Sequence, residues 1–220
     1  LGNVSSVVWA TTGPLAAEKE IVHIAGGAVD SLVYPPQPYL YRYLMSSRQS
    51  AEGSLQFALD QLGSTEPKIS FLRYDSAGTD AYAEALVEAL ERIDLELAGD
   101  QQRFPAAATD LTPAASAIAA QNPNFVLSIM TDAQAPLGVE ALRNRGYTGP
   151  IVNWVGISEK TLQAVNDPNF YVMRDTVPSE LPESAHIKDL ATELGKADKI
   201  NHDFVVNGYL AALATTKALE

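Results

Sequence analysis

Three features of the 220-residue sequence predict an α/β protein built on doubly wound parallel sheets. Short β-rich apolar runs alternate with longer amphipathic stretches from one end of the chain to the other, as βαβ units do. One run, Phe125 to Met130, is apolar almost without a break, which suits a strand covered on both faces of a parallel sheet. Hydrophobic residues make up 46% of the chain against 19% charged, enough for one large domain or two small ones.

Taken in order, Val7-Val8-Trp9-Ala10 reads as a first strand and Ile21 to Ile24 as a second. Only Leu15 to Glu20 lies between them as a helix, shorter than the usual crossover of about ten residues or more. An apolar run from Tyr39 to Leu44 precedes a helix over Ser50 to Leu62, where Ala51, Leu55, Ala58 and Leu62 share a face. A strand follows at Ile69 to Arg73. Asp80 to Ile93 is the strongest helix, with Ala81, Ala85, Leu86, Ala89 and Leu90 in one stripe and the glutamates outside it. Leu95 to Ala98 reads as a strand and Leu111 to Ala120 as a helix that Thr109 or Asp110 caps. After the strand at Phe125, a helix from Ala135 to Arg145 stops at Gly146, because glycine accepts the left-handed conformation that ends helices. Ile151 to Val155 is the next strand, and Ser158 opens another helix. Asp175 to Glu183, with Pro178 and Pro182, is a linker. From Asp203 to Glu220 the chain is helical, with Val206, Tyr209, Leu210 and Leu213 in phase. The strands beginning at Ile69, Leu95, Phe125 and Ile151 therefore make one complete doubly wound unit. The segment before about Met45 opens a second that stays short of the usual four to six or so strands.

Twenty-seven acidic residues against fifteen basic ones give a net charge of -12. That balance repels phosphate backbones and anionic membrane surfaces, so neither nucleic acid nor membrane insertion is expected. No apolar run approaches the roughly 20 residues of a membrane helix. The chain has no cysteine, hence no disulfide framework or thiolate metal site. Neither G-x-G-x-x-G nor G-x-x-x-x-G-K-[ST] occurs, nor does a G-x-S-x-G nucleophile elbow, so nucleotide chemistry and acyl-transfer catalysis are unsupported and no cofactor is expected. Of the three histidines, His23 lies in an apolar strand and reads as structural, while His186 and His202 lie in polar helical surroundings. Asp75 and Asp80 flank one strand-to-helix turn. As a carboxylate pair they would suit acid-base work, but Asp80 is better explained as a helix cap.

Polar clusters stand at the carboxyl ends of the strands, where open α/β sheets place ligands. Ala10-Thr11-Thr12-Gly13 ends the first strand; its hydroxyls and N-H groups suit an anion, or simply cap a helix. Gly26 and Gly27, before Ala28, admit a ligand close to the backbone, or only a tight turn. Tyr74-Asp75-Ser76, Thr131-Asp132-Ala133-Gln134 and Asn153-Trp154-Val155-Gly156 end the later strands. Together these clusters describe two rims.

The strings SVVWATTGPLA, IVHIAGGAVDSLV, YLYRYLMSSRQSAEG, KISFLRYDSAGTDAYAEALVEAL, FPAAATDLTPAASAIAAQNPNFVLSIM, ALRNRGYTGPIVNW and NGYLAALATTKALE occur in an order and spacing that resembles the type I periplasmic binding proteins. The likeness is to the leucine/isoleucine/valine-binding branch that serves ABC importers, and it covers nearly the whole chain. It implies the type I periplasmic-binding-protein fold, with residues 46–178 as a complete lobe 2 and residues 1–45 and 179–220 as a partial lobe 1. It also implies that the chain is truncated at both ends, without the family's amino- and carboxyl-terminal segments and without its signal peptide. The expected function is capture of a small carboxylate-bearing solute between two lobes, an amino-acid-like, aliphatic or aromatic acid, with no chemical step. The partners would be the solute and importer permease subunits, in the periplasm or, lipid-anchored, outside the cell. A ligand-sensing domain of a receptor or regulator is the alternative on the same fold. Position by position, Thr11 and Thr12 match hydroxyl residues that bind a ligand carboxylate, and Gly27 with Ala28 matches a backbone contact. Tyr74 stands near a tyrosine that covers the ligand, a residue missing at Ala77 and Gly78, and Tyr82 is close to it. Asp132 would supply a carboxylate for a cation or cap the following helix, and Trp154 would stack on a ligand or pack. Where the family holds an ammonium group, this chain has Val29 and Val155.

Overall fold

A computed structural model of the protein describes residues 6–63, 67–154, 157–174, 182, 185–197 and 203–219. In chain order its elements are α1 (Ser6–Glu18), β1 (His23–Ala25), a 3-10 turn (Asp30–Leu32), β2 (Leu40–Arg42), α2 (Ser47–Leu62), β3 (Ile69–Tyr74), α3 (Ala77–Glu91), β4 (Gln102–Phe104), α4 (Thr112–Ala120), β5 (Phe125–Ile129), α5 (Ala135–Asn144), β6 (Ile151–Asn153), α6 (Glu159–Val165), β7 (Phe170–Val172), α7 (Ala185–Glu193) and α8 (Asp203–Leu219). The chain divides into a continuous unit, Arg48–Met173, and a split unit made of Leu1–Ser47 and Arg174–Glu220. Most of the linker read at Asp175 to Glu183 falls outside the described residues, as do Val155 and His202.

The continuous unit carries a five-stranded parallel sheet in the order β4-β3-β5-β6-β7. Strand alternation sends Ile69, Phe71, Phe125, Leu127, Ile129 and Val152 to one face, where Ala51, Leu55 and Ala58 of α2 and Tyr82, Leu86 and Leu90 of α3 cover them. Leu72, Val126, Met130 and Ile151 go to the other face, beneath Ala115 and Ile118 of α4 and Val139 and Leu142 of α5. Every residue of β5 is buried, as its apolar run requires. Each large side chain so buried contributes roughly 1.5–3 kcal/mol relative to exposure.

Helix ends follow their local chemistry. Ser76 caps α3 in a reciprocal capping box with Thr79, so Asp80, read as the cap, instead sits in the first turn and pairs with Arg73 at 2.7 Å. Asp110 accepts the Thr112 N-H at the start of α4. Gly146, at φ +82°, follows α5 as expected. Arg143 grips Asp167 through two bonds and donates to the carbonyls of Tyr147 and Gly149, which pins the loop between α5 and β6. The same guanidinium holds the Asp167 carboxyl below its ordinary range.

In the split unit β1 and β2 form a two-stranded parallel sheet. Trp9, fully buried, stacks on His23 at 5.8 Å with the rings 10° apart and packs with Ala16, Ala25 and Leu40. Ile187 and Ala191 of α7 pack on Tyr209 and Leu210 of α8, and His186 meets Tyr209 edge-on.

Two strand assignments are corrected. Val7 to Ala10 is not a strand but part of α1, which absorbs the short helix read at Leu15 to Glu20. A four-residue apolar run does not distinguish a strand from a buried helical turn, and burial of Trp9 against His23 settles it as helix. Leu95 to Ala98 contributes only a single bridge, Leu97 to Ile69, and the edge strand is β4. The opposite edge is β7, which its short half-buried pattern concealed.

Candidate functional site

The order β4-β3-β5-β6-β7 reverses direction between β3 and β5, and such a reversal leaves a crevice beyond the carboxyl ends of the two strands. Tyr74 ends β3 on one side of it, and Thr131 and Asp132 follow β5 on the other. Trp154 follows β6 next along the same edge.

The Tyr74-Asp75-Ser76 turn is held from beneath. Thr79 Oγ1 donates to the Tyr74 carbonyl at 2.5 Å and accepts from Arg73 Nη1 at 3.0 Å. Arg73, 2% exposed, also donates to Gln101 and Asp80. Arg103 Nε donates to Asp75 Oδ1 at 2.7 Å, so Asp75 and Asp80 share Arg103 as neighbours and do not stand as an acid-base pair. Tyr74 is half-buried, and burial pushes its phenol up while Ser76 partly offsets this, so it stays a neutral hydroxyl.

After β5, Gln134 accepts the Thr131 N-H at 3.0 Å and donates to the Ala106 carbonyl at 2.7 Å. Asp132 is exposed and accepts the Ser158 N-H at 2.7 Å, which ties it to the start of α6 and not to its own following helix. Trp154 is half-buried and stacks on the fully buried Tyr82, ring centroids 4.5 Å apart. Its Nε1 is buried without a hydrogen-bond partner among the described residues.

The split unit has its own rim at the carboxyl end of β1. Thr11 and Thr12 do not lie on it as strand-end residues: they fall in the middle of α1, Thr11 exposed and Thr12 donating to the Val8 carbonyl at 3.0 Å. Ser6, at the start of α1, accepts the Ala28 N-H at 3.1 Å. Gly27 is buried, and a Cβ there would stand 2.7 Å from Trp9 Cε3 and 3.3 Å from Ser6 Cα, so close packing of α1 requires the glycine. The Ala28 carbonyl accepts from Ser47 N at 2.9 Å and Arg42 Nη1 at 3.2 Å. Val29 is half-buried and leads into the 3-10 turn. The structure thus groups Gly27 and Ala28 on one unit and Tyr74, Asp132 and Trp154 on the other. Ser6, Arg42 and Thr79 stand outside the polar clusters read from the sequence; their signal is a lone polar residue beside an apolar strand or at its end.

Among the described residues no helix is long and apolar enough to cross a membrane, and no cluster of three or more His, Asp or Glu is placed to hold a metal. No curated protein matches the chain. Among solved structures, a branched chain amino acid ABC transporter from Thermus thermophilus with bound valine is similar at TM-score 0.80 and 16% identity, covering 97% of this chain and 57% of that one. A fatty acid ABC transporter substrate-binding protein from Thermomonospora curvata gives 0.78 and 17%, covering 96% and 55%. A solute binding protein of an R. palustris ABC transporter in complex with 4-hydroxybenzoate gives 0.64 and 16%, covering 76% and 46%. The chain therefore spans about half the length of each of these structures. At such identities the likeness is one of fold, whereas the family described as periplasmic binding protein matches residues 1–220. This chain belongs to the type I periplasmic binding protein family.

Proposed function

We propose that the chain is the solute-binding component of an ABC importer, that it acts without a chemical step, and that its solute is a small carboxylate on an apolar or aromatic body. The observation that carries this reading is the Trp154-Tyr82 stack at the carboxyl edge of the sheet, the edge on which the switch point lies. A half-buried indole backed by a buried ring gives a flat, rigid surface, and aromatic pairs add roughly 0.5–1.5 kcal/mol beyond the area they bury. The solutes named for the similar structures, valine, a fatty acid and 4-hydroxybenzoate, have a carboxylate in common. Val29 offers no side-chain acceptor for an ammonium group, and Asp132 Oδ1 already takes an N-H, which favours acids over α-amino acids. Each unit is taken by itself: the proposed solute-contacting residues of the continuous unit are Tyr74, Trp154 and Asp132, and those of the split unit are Gly27, Ala28 and Ser6. Thr11 and Thr12 have the weaker claim, because one is exposed on α1 and the other is bonded to its own helix. The importer's permease subunits are the proposed partner, in the periplasm or at the outer face of the membrane.

Titration with 4-hydroxybenzoate, octanoate and L-valine tests it, read by melting temperature and by fluorescence. The chain has only two tryptophans, so a Trp9→Phe background isolates Trp154. One or both acids should raise the melting temperature by mass action, by about 2.7 kcal/mol of stability at a hundredfold excess over Kd. Trp154→Ala should weaken 4-hydroxybenzoate by about tenfold. If neither acid shifts the melt while L-valine does, the solute class is wrong.

A further inference from the structure

We propose that Arg42 is a positioning residue of the solute rim, fixing the Ala28 peptide and, through the carbonyl they share, the first residue of α2. The proposal rests on the reading above in taking the Gly26–Asp30 loop as solute-contacting.

Arg42 closes β2, and its side chain is only 10% exposed, so it is not a surface charge. Nη2 reaches Asp30 Oδ1 at 2.8 Å, while Nη1 reaches the carbonyls of Ala28 at 3.2 Å and Val29 at 3.5 Å. A planar, permanently charged fork can hold a carboxylate and a neighbouring carbonyl together, which a lysine ammonium on a flexible stem cannot do with the same geometry. Asp30 and the two carbonyls engage both terminal nitrogens of the fork, so the guanidinium is committed to the loop.

The Ala28 carbonyl also accepts the Ser47 N-H at 2.9 Å and the Ser47 hydroxyl at 3.3 Å. Ser47 is 2% exposed, opens α2 and is the last residue of the split unit's first segment. On its other side the Ala28 N-H donates to Ser6 Oγ at the start of α1. The two peptide groups that flank Ala28 therefore join the starts of α1 and α2 to the end of β2. A solute that displaces Ala28 must change the Ser47 bonds, and α2 is the element along which the chain leaves the split unit. Arg42 sets the resting position of the Ala28 peptide.

Hydrogen exchange of the solute-free chain tests the first half. Arg42→Lys keeps an ion pair with Asp30 but not the fork, and the Ala28 and Ser47 amides should then exchange about tenfold faster, with β3 and β5 amides unchanged. Arg42→Gln should do the same or more. Unchanged exchange at Ser47 in both variants overturns the proposal, as does a uniform rise across both units, which would make Arg42 a general stabiliser. Titration with 4-hydroxybenzoate and octanoate tests the second half. Both Arg42→Lys and Ser47→Ala should weaken the two acids by one common factor, since a residue that does not touch solute cannot tell solute bodies apart, and Ser47→Thr should restore binding. A factor that differs between the acids makes Arg42 a solute contact and overturns the positioning role. If the unaltered chain binds neither acid, the solute reading falls while the exchange result still decides Arg42.

Discussion

Asn153 is fully buried where β6 ends, and its amide joins two strands: Oδ1 accepts from Ser128 Oγ at 3.0 Å and Met130 N at 2.8 Å, and Nδ2 donates to the Met130 carbonyl at 3.0 Å. Asn153→Leu fills similar space but leaves the Met130 N-H and carbonyl buried and unpaired. We expect a loss of roughly 2–5 kcal/mol, measurable by urea unfolding, because each orphaned group keeps its full desolvation cost. At Gly27 the requirement is steric. A methyl 2.7 Å from the Trp9 ring must displace it, so Gly27→Ala should cost about 1–3 kcal/mol of stability, and it would do so with no solute present. A melt unchanged by Gly27→Ala would show that the Trp9 ring gives way without cost. These residues mark a limit of what was legible. Polar residues at strand ends could be picked out from the sequence, but whether Asp132 caps its own helix or reaches Ser158 depends on a fold-back of the chain that no local pattern contains.

Among elements, the central strands β3, β5 and β6 were readable because both faces of each are covered, so their sequences are mostly apolar. The edge strands were not. β4 is Gln-Arg-Phe with one buried residue, and β7 is half-buried, since an edge strand has a neighbour on one side only. Helix α3 was read three residues short at its start because Ser76 and Thr79, not Asp80, make the cap. Ser76→Ala should lower stability by about 1 kcal/mol and, by loosening the turn under Tyr74, weaken solute binding more than Asp110→Ala does at the start of α4. The α1-β1 contact carries a pH dependence. Burial lowers the His23 imidazole below its ordinary value of 6.5, and its Nε2 has no hydrogen-bond partner among the described residues. A base whose folded value is depressed takes its proton more readily when unfolded, so its contribution is complete above the unfolded value and declines as pH falls below it. Thermal melts from pH 7.5 down to about 5 should show this decline, and His23→Phe should flatten it. An identical profile in the variant would assign the acid sensitivity to other groups.

For the molecule as a whole, the two units differ in what they bury. The continuous unit has a large apolar cluster on each face of its sheet, whereas the described core of the split unit is a small group around Trp9 and another at Ile187 and Ala191. Opening free energy follows buried apolar contact, so amides of β3, β5 and β6 should be the slowest to exchange and those of β1 and β2 much faster. Equal protection in the two sheets would show that the split unit gains stability from groups beyond those described. The α/β class, the parallel central strands, the acidic net charge, and the carboxyl-end positions of Tyr74, Asp132 and Trp154 were determined by the sequence alone, since each follows from local period, composition or strand direction. The helical state of Trp9, the edges of the five-stranded sheet, the packing duty of Gly27 and the bonds that converge on Ala28 were decided only by tertiary structure. Their causes are contacts between residues far apart in the chain, and a short apolar or glycine-rich stretch is compatible with either outcome until its partner is in place.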